Sequence, residues 1–168
     1  MFSAALFIGA ALFGLSSCSG EEGGDVTLTG NGITGTWEME SMLENMHMDG
    51  SIFECQIMQG GQASADAMNT NAYTKYTYVF RYGGNGTVST EDTDGNMMEN
   101  TPIAWTLDMD AKTLSITTDV FVEDTRVYTV KSMSGNSMKL VLDHTYPDDD
   151  EFDRGGQRLE GTYTLNKQ

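Results

Sequence analysis

The chain contains two histidines, His47 and His144, which are the side chains best suited to proton transfer near neutral pH. His144 directly follows Asp143, in a segment whose apolar residues alternate as in a β-strand. Because neighbouring strand residues point to opposite faces, this carboxylate is poorly placed to orient the imidazole. The sequence also has no Gly-x-Ser-x-Gly elbow, phosphate-binding loop or zinc motif. These residues predict a protein that is not an enzyme.

Two kinds of side-chain cluster raise the question of a metal. Thioether and imidazole groups, which suit Cu(I), occur together at Met42, Met46, His47 and Met48. The chain has 12 methionines, so a chance cluster is the simpler explanation. Carboxylates that suit Ca²⁺ occur at 92–96 and 148–153, but neither segment has the spacing of an EF-hand. We therefore predict solvated loops there, with no metal and no cofactor.

A third set is apolar and aromatic, and it recurs with the period of two that is typical of strands. It comprises Trp37, Met39, Tyr76, Tyr78, Phe80, Trp105, Leu107, Leu114, Ile116, Met138, Leu140 and Tyr163. Such a set forms a core, or it lines a cavity in which tyrosine hydroxyls are the polar groups. If there is a cavity, the residues predicted to contact a small apolar or amphipathic ligand are Tyr76, Tyr78, Phe80, Trp105, Leu107, Met138 and Leu140.

The elements that must position these residues are strands. In segment 35–44, strict alternation predicts one face with Trp37, Met39, Ser41 and Leu43, and an opposite face with Glu38, Glu40, Met42 and Glu44. Residues 45–51 read as a turn, 59–71 as a polar loop, and 63–68 as a helical turn or two. Further strands are predicted at 52–58, 73–82, 87–91, 103–108, 113–117, 120–122, 126–133, 137–143 and 159–165.

About eight strands joined by short turns, without crossover helices, predict an all-β antiparallel protein. Residues 83–86, Gly-Gly-Asn-Gly, are a hairpin signal because glycine and asparagine tolerate positive φ. A sheet whose strands are joined in this order must cover its apolar face with another layer, or it must close on itself. Eight strands close into a barrel that its own side chains fill, or that holds one small ligand.

Residues 2–15 form an uncharged apolar run that suits the core of a secretory signal and is short for a membrane span. The run ends in Leu15-Ser16-Ser17-Cys18, which resembles the lipobox of bacterial lipoproteins. The resemblance implies a signal peptide over 1–17, acylation of Cys18, a flexible acidic tether over 18–32, and a domain over 33–168. It also implies a lipid-anchored protein of the outer membrane that faces the periplasm or the cell surface. Cys55 is then the only free cysteine, and we expect it to be a small buried apolar residue.

The charge of the chain restricts its partners. Acidic residues outnumber basic ones 25 to 9, for a net charge of −16. A phosphate backbone would be repelled, so nucleic-acid binding is disfavoured. The resemblance to the lipobox implies anchoring to the membrane through acyl chains, and the other partners expected are a small hydrophobic ligand or a protein of the cell envelope.

Gly35-Thr36-Trp37 at the start of the first strand resembles the Gly-x-Trp motif of the lipocalins. The order of an aromatic strand, a Gly-Asn-Gly turn, Trp105-Thr106-Leu107-Asp108 and a closing Gly161-Thr162-Tyr163 is similar to the lipocalin-like domain of many bacterial lipoproteins. The resemblance implies an eight-stranded up-and-down barrel whose closed end is plugged by Gly35 and Trp37. It further implies that an arginine near the last strand, Arg158, packs across the Trp37 ring. The protein would then be a binding module for a small ligand. The alternative is a solid barrel that contacts a protein partner through loops 45–72 and 143–158.

Overall fold

The computed structural model describes residues 32–60, 62–63, 75–92, 94–118, 124–148 and 154–168. Over these residues the secondary structure consists of strands and turns, and no helix long and apolar enough to cross a membrane is found among them. The strands are β1 (Gly35–Met48), β2 (Ser51–Gln59), β3 (Gln62–Ala63), β4 (Lys75–Arg81), β5 (Asn85–Glu91), β6 (Met97–Asp108), β7 (Thr113–Thr118), β8 (Asp124–Met133), β9 (Ser137–Thr145) and β10 (Arg158–Lys167). The strand predicted at 120–122 lies outside the described residues. So does the helical turn predicted at 63–68, except for Ala63, which belongs to β3.

Strands β4 to β10 pair with their neighbours in chain order, and every pairing is antiparallel. β1 pairs with β4 on one edge and with β10 on the other, which closes the sheet. The result is an eight-stranded up-and-down barrel made of β1 and β4–β10. The predicted fold class is confirmed.

β1 is shared between two strands along one of its edges. Its first residues, Gly35–Glu38, pair with β4, whereas Ser41–Met48 pair with β2. Both partners run antiparallel to β1, so β2 and β4 occupy successive stretches of one strand position. The chain leaves that position after Gln59 and returns to it at Lys75.

The β1–β2 turn is shorter than predicted, because β1 continues to Met48. Only Asp49 and Gly50 make the turn, and both have positive φ, 51° and 76°. Two consecutive residues with positive φ form the hairpin turn whose twist matches that of paired strands. Aspartate tolerates this conformation and glycine adopts it freely.

The barrel has two different ends. At the plugged end β1 begins, and residues 82–84, 109–112 and 134–136 turn the chain. At the opposite end, which we call the mouth, β1 ends at Met48 and residues 92–96 and 146–157 connect strands. The buried side chains form one cluster that runs from Ile33 and Trp37 at the plugged end towards Leu159 near the mouth.

Candidate binding site at the mouth of the barrel

Trp37 and Ile33 plug one end of the barrel, and neither is exposed to solvent. The indole Nε1 of Trp37 donates a 2.7 Å hydrogen bond to the carbonyl of Ile33, so its polar group is satisfied while the ring is buried. The Nζ of Lys167 lies 5.4 Å from the centroid of the Trp37 ring and donates to the carbonyl of Gly32 at 3.1 Å. This is a cation–π contact that also ties the last strand to the first.

Gly35 makes room for that contact. Its φ is +132°, and a Cβ built there would lie 2.7 Å from Cε of Lys167. A larger residue would therefore strain the backbone and displace the lysine stem. This explains why a glycine stands two residues before the tryptophan.

The prediction that Arg158 crosses the Trp37 ring is wrong, because the register puts Arg158 at the mouth. Arg158 pairs with His47, while Lys167 pairs with Trp37. The Arg158 guanidinium forms two hydrogen bonds to Asp143, of 2.6 and 2.7 Å, on the outside of the barrel. Its Nη2 also lies 2.5 Å from Oε1 of Glu160, whose Oε2 is 2.8 Å from His47.

An irregularity in β1 changes which residues face the barrel interior. The pairing with β10 shifts between Met39 and Ser41, as at a β-bulge. Trp37 and Met39 are buried as predicted, but beyond the shift the buried side chains are Met42 and Glu44, whereas Leu43 is 39% exposed. The strict alternation predicted for 35–44 is therefore wrong beyond Met39, and it hid a carboxylate that faces the interior.

Glu44 is 8% exposed and accepts a 2.5 Å hydrogen bond from the hydroxyl of Tyr163. Gly161, the register partner of Glu44, makes this bond possible. A Cβ at Gly161 would overlap the hydroxyl and ring of Tyr163, which lies over the glycine. A buried carboxylate needs such a partner, since burying an unpaired charge is costly.

More polar side chains approach Glu44 from across the barrel. Nη1 of Arg126 on β8 lies 4.0 Å from Oε1 of Glu44. The rings of Tyr128 and Tyr163 meet edge to face, with centroids 5.4 Å apart. Together with Tyr76 and Tyr78 these residues form what we call the mouth cluster: Glu44, Tyr76, Tyr78, Arg126, Tyr128 and Tyr163.

Tyr78 lines the same cavity as Tyr128 and Tyr163, and its electrostatics follow from that position. Burial raises the pKa of Tyr78 well above its usual value, and the nearby phenol of Tyr128 and carboxylate of Glu44 raise it further, while Arg126 opposes them. Burial and then Glu44 likewise raise the pKa of Tyr163 far above its usual range. Both phenols are therefore neutral hydrogen-bond donors throughout the physiological pH range.

A cavity extends from the mouth cluster towards the plugged end. Three tyrosines, one phenylalanine and four apolar, non-aromatic side chains line it: Met39, Tyr78, Phe80, Ile116, Tyr128, Leu140, Tyr163 and Leu165. Its volume is about 10 Å³, which is room for roughly one water molecule. Around this cavity, the described side chains therefore leave little empty space.

Thr90 adds an unsatisfied polar group near the mouth. It lies on the inward face of β5, with Gly86 and Val88, and is only 3% exposed. Its hydroxyl has no hydrogen-bond partner among the described residues. Thr90 pairs with Tyr76 on one side and with Glu99 on the other. Because directly paired residues share a face, the Glu99 carboxylate is on the inward side as well.

The structure separates the predicted ligand contacts into two groups. Tyr78, Phe80 and Leu140 line the cavity. Trp105, Leu107 and Met138 belong to the surrounding core, against which Tyr76 of the mouth cluster also packs, and the Trp105 indole donates to the carbonyl of Asn85 at 2.9 Å. Sequence reasoning missed Glu44, Thr90, Arg126 and Tyr128 as site residues. Alternation in β8 would have found two of them, since Arg126, Tyr128 and Val130 share a face.

The residues considered for metal binding are buried separately or form hydrogen bonds within the protein. Met42 is buried on the inward face of β1, while His47 bonds Glu160 on the outside, so the two do not converge. In the loop at 92–96, the side-chain amide of Asn96 donates to the Asp92 carboxylate, and the backbone N–H groups of Asn96 and Asp94 donate to it as well, which lowers the pKa of Asp92. Among the described residues, no group of three or more His, Cys, Asp or Glu side chains is arranged to hold a metal. Asp148 is the only residue of the 148–153 run that is described.

His144 and Asp143 are on opposite sides of the barrel wall. Asp143 pairs with Arg158 on the outer surface, whereas the His144 ring packs edge to face against Tyr146. Cys55 lies in β2. Cys18 lies outside the described residues, as do all of residues 1–31.

A closed up-and-down barrel with one plugged end and a polar mouth defines a small β-barrel of the kind that binds ligands or partners. The lipocalin-like domain family matches residues 33–140, well over half of the chain, and the protein belongs to this family. No curated protein matches the sequence. Among solved structures, a mutant of transferrin-binding protein B from Haemophilus parasuis, a vaccine antigen, is similar over 80% of this chain, with a TM-score of 0.38 and 9% identity. The match spans only 27% of that protein.

Proposed function

We propose that this chain is a non-catalytic binding module that takes a small amphipathic molecule at the mouth of its barrel. The observation that carries the proposal is the mouth cluster, where buried Glu44 and the phenols of Tyr78 and Tyr163 converge at the top of an apolar cavity. A few polar groups that converge on an apolar cavity are the usual features of a small-molecule site.

The size of the cavity restricts where the ligand binds. About 10 Å³ does not admit an organic molecule, so the ligand would sit among the side chains of the mouth cluster and above the cavity floor. Met39 lines the cavity, and Met42 and Met46 pack in the same core. Methionine side chains adapt their shape readily, which would let an apolar group enter a short way.

Native mass spectrometry of the protein purified from its own host tests this proposal. We expect a retained small molecule in the wild type and its loss in Tyr78→Ala. Tyr82→Ala is the matched control, because Tyr82 is 87% exposed beside the plugged-end turn. A chain that retains nothing and that binds no probe added in solution would overturn the proposal.

We further propose that Cys18 is acylated and anchors the protein to the outer membrane, as the match to the lipobox implies. β1 begins at the plugged end, so the anchor would be attached to the barrel on that side. Metabolic labelling with a fatty-acid analogue tests this: the wild type should be labelled and Cys18→Ala should not. Equal labelling of both would contradict the proposal.

A second candidate is an envelope protein module that contacts a partner through the segments at its mouth. The small volume of the cavity supports this candidate, because a barrel with a packed interior would contact a partner through its surface. A photo-crosslinking amino acid in place of Met97, near the mouth and 64% exposed, should then capture a partner in cells. The same substitution at Met109, in a plugged-end turn, should capture none. Equal capture at both positions would count against this candidate.

A further inference from the structure

The mouth of the barrel carries more carboxylates than cationic groups, in contrast to the apolar lining of the cavity. Inward-facing Glu44 and Glu99 supply two carboxylates, and Arg126 supplies one cation. Among the described residues that join strands at this end, Asp49, Asp92, Asp94 and Asp148 add further carboxylates. Arg154 is the only basic residue among these described turn residues, and it packs over the Tyr146 ring at 4.0 Å. Low-dielectric walls concentrate the electric field of such carboxylates, and this negative field attracts cations.

The side chains at the mouth also suit a cation at short range. Tyr78, Tyr128 and Tyr163 line the cavity, and the negative faces of aromatic rings attract ammonium groups. Tyr163 and Arg126 both approach Oε1 of Glu44. Oε2 takes no hydrogen bond from a described residue, although a carboxylate accepts several.

Thr90 independently points to a ligand at this level of the barrel. A hydroxyl that is 97% buried without a partner is costly, and a polar group of a ligand or a bound water would satisfy it. It faces inward beside Tyr76 and Glu99. We propose that the molecule taken at the mouth is an organic cation, an amine or quaternary ammonium, whose apolar part lies against the side chains at the top of the cavity. This inference rests on the proposed function.

The test is isothermal titration of the full chain at low ionic strength with four probes that share one alkyl group. These are hexyltrimethylammonium, hexylamine, hexanoate and 1-hexanol. We expect both cations to bind at least about tenfold more tightly than hexanoate, because the charge meets Glu44 and the tyrosine faces. The affinity for the cations should fall with added salt.

Two variants locate the site. Glu44→Gln keeps the acceptor for Tyr163 but removes the charge, and it should weaken cation binding about five- to tenfold. Glu40→Gln removes an equal charge from the exposed outer face of the same strand and should change little. The comparison among probes on the wild type remains decisive if Glu44→Gln does not fold.

The outcomes separate this inference from the proposed function. Binding of hexanoate that equals or exceeds that of the cations overturns the cation assignment and leaves a binding module whose ligand pairs with Arg126. Equal cation binding by Glu44→Gln and the wild type also overturns the assignment. If none of the four probes binds at millimolar concentration and the protein from its host retains no molecule, the proposed function itself fails.

Discussion

Lys167 lies across Trp37, with its ammonium 5.4 Å from the ring centroid and its stem packed over Gly35. The two residues are register partners, so the last strand of the barrel covers the tryptophan of the first. The same lysine donates to the carbonyl of Gly32, which holds the chain that leads into β1. The contact therefore joins the first and last strands of the barrel, and it also covers the plugged end.

Removing the plug should destabilise the barrel without altering the mouth. Trp37→Ala should lower the free energy of unfolding by roughly 3–5 kcal/mol, the usual cost of truncating a buried aromatic residue. Urea unfolding followed by circular dichroism measures it. Tyr82→Ala, at an exposed aromatic position, should stay within about 0.5 kcal/mol of the wild type. Unchanged stability of Trp37→Ala with lost ligand binding would contradict the structural role of the plug.

Gly35 should resist substitution for two separate reasons. Gly35→Ala places a Cβ at φ +132° and against Lys167, and should cost roughly 1–3 kcal/mol. Gly135→Ala is the matched control, because a Cβ there meets no atom within 4 Å. Thermal unfolding of the two variants compares them. Equal melting temperatures would show that Gly35 is not required by its conformation.

The fold could be predicted from sequence because its signals are local. Alternation marks most strands to within a few residues, and glycine-rich turns mark their ends. The identity of the cation over Trp37 could not be predicted, since it depends on the register of β10 against β1. A strand of ten residues spans the height of the barrel, so its first and last basic residues, Arg158 and Lys167, lie at opposite ends.

The site was harder to predict than the fold because one inserted residue reverses the faces of a strand. The shift between Met39 and Ser41 turns Glu44 inward, and nothing in the local pattern marks it. The role of Gly161 depends on a tertiary contact, since the ring that covers it belongs to Tyr163 and bonds a carboxylate on another strand.

The buried phenols predict how the protein responds to alkali. The pKa values of Tyr78 and Tyr163 are raised above the unfolded value of about 10, chiefly by burial. Their contribution to stability is therefore complete below about pH 10 and is lost as the pH rises above it. Absorbance at 295 nm should show a late cooperative step when the barrel unfolds and these two phenols ionise. Tyr163→Phe should reduce that late step, and a single smooth titration of all seven tyrosines would contradict the prediction.

The ion pairs on the outer wall near the mouth predict how the protein responds to acid. The hydrogen bonds from Arg158 lower the pKa of Asp143 in the folded state. A depressed folded pKa stabilises the protein above the unfolded pKa of about 3.9, and that contribution is lost as the pH falls through the folded value. Arg158→Met should therefore lower the melting temperature at pH 7 more than at pH 3. Lys139→Met, which removes an exposed cation from the adjacent strand, controls for the change in net charge. If both variants show the same dependence on pH, long-range repulsion within this acidic chain explains it, and the pair between Arg158 and Asp143 does not.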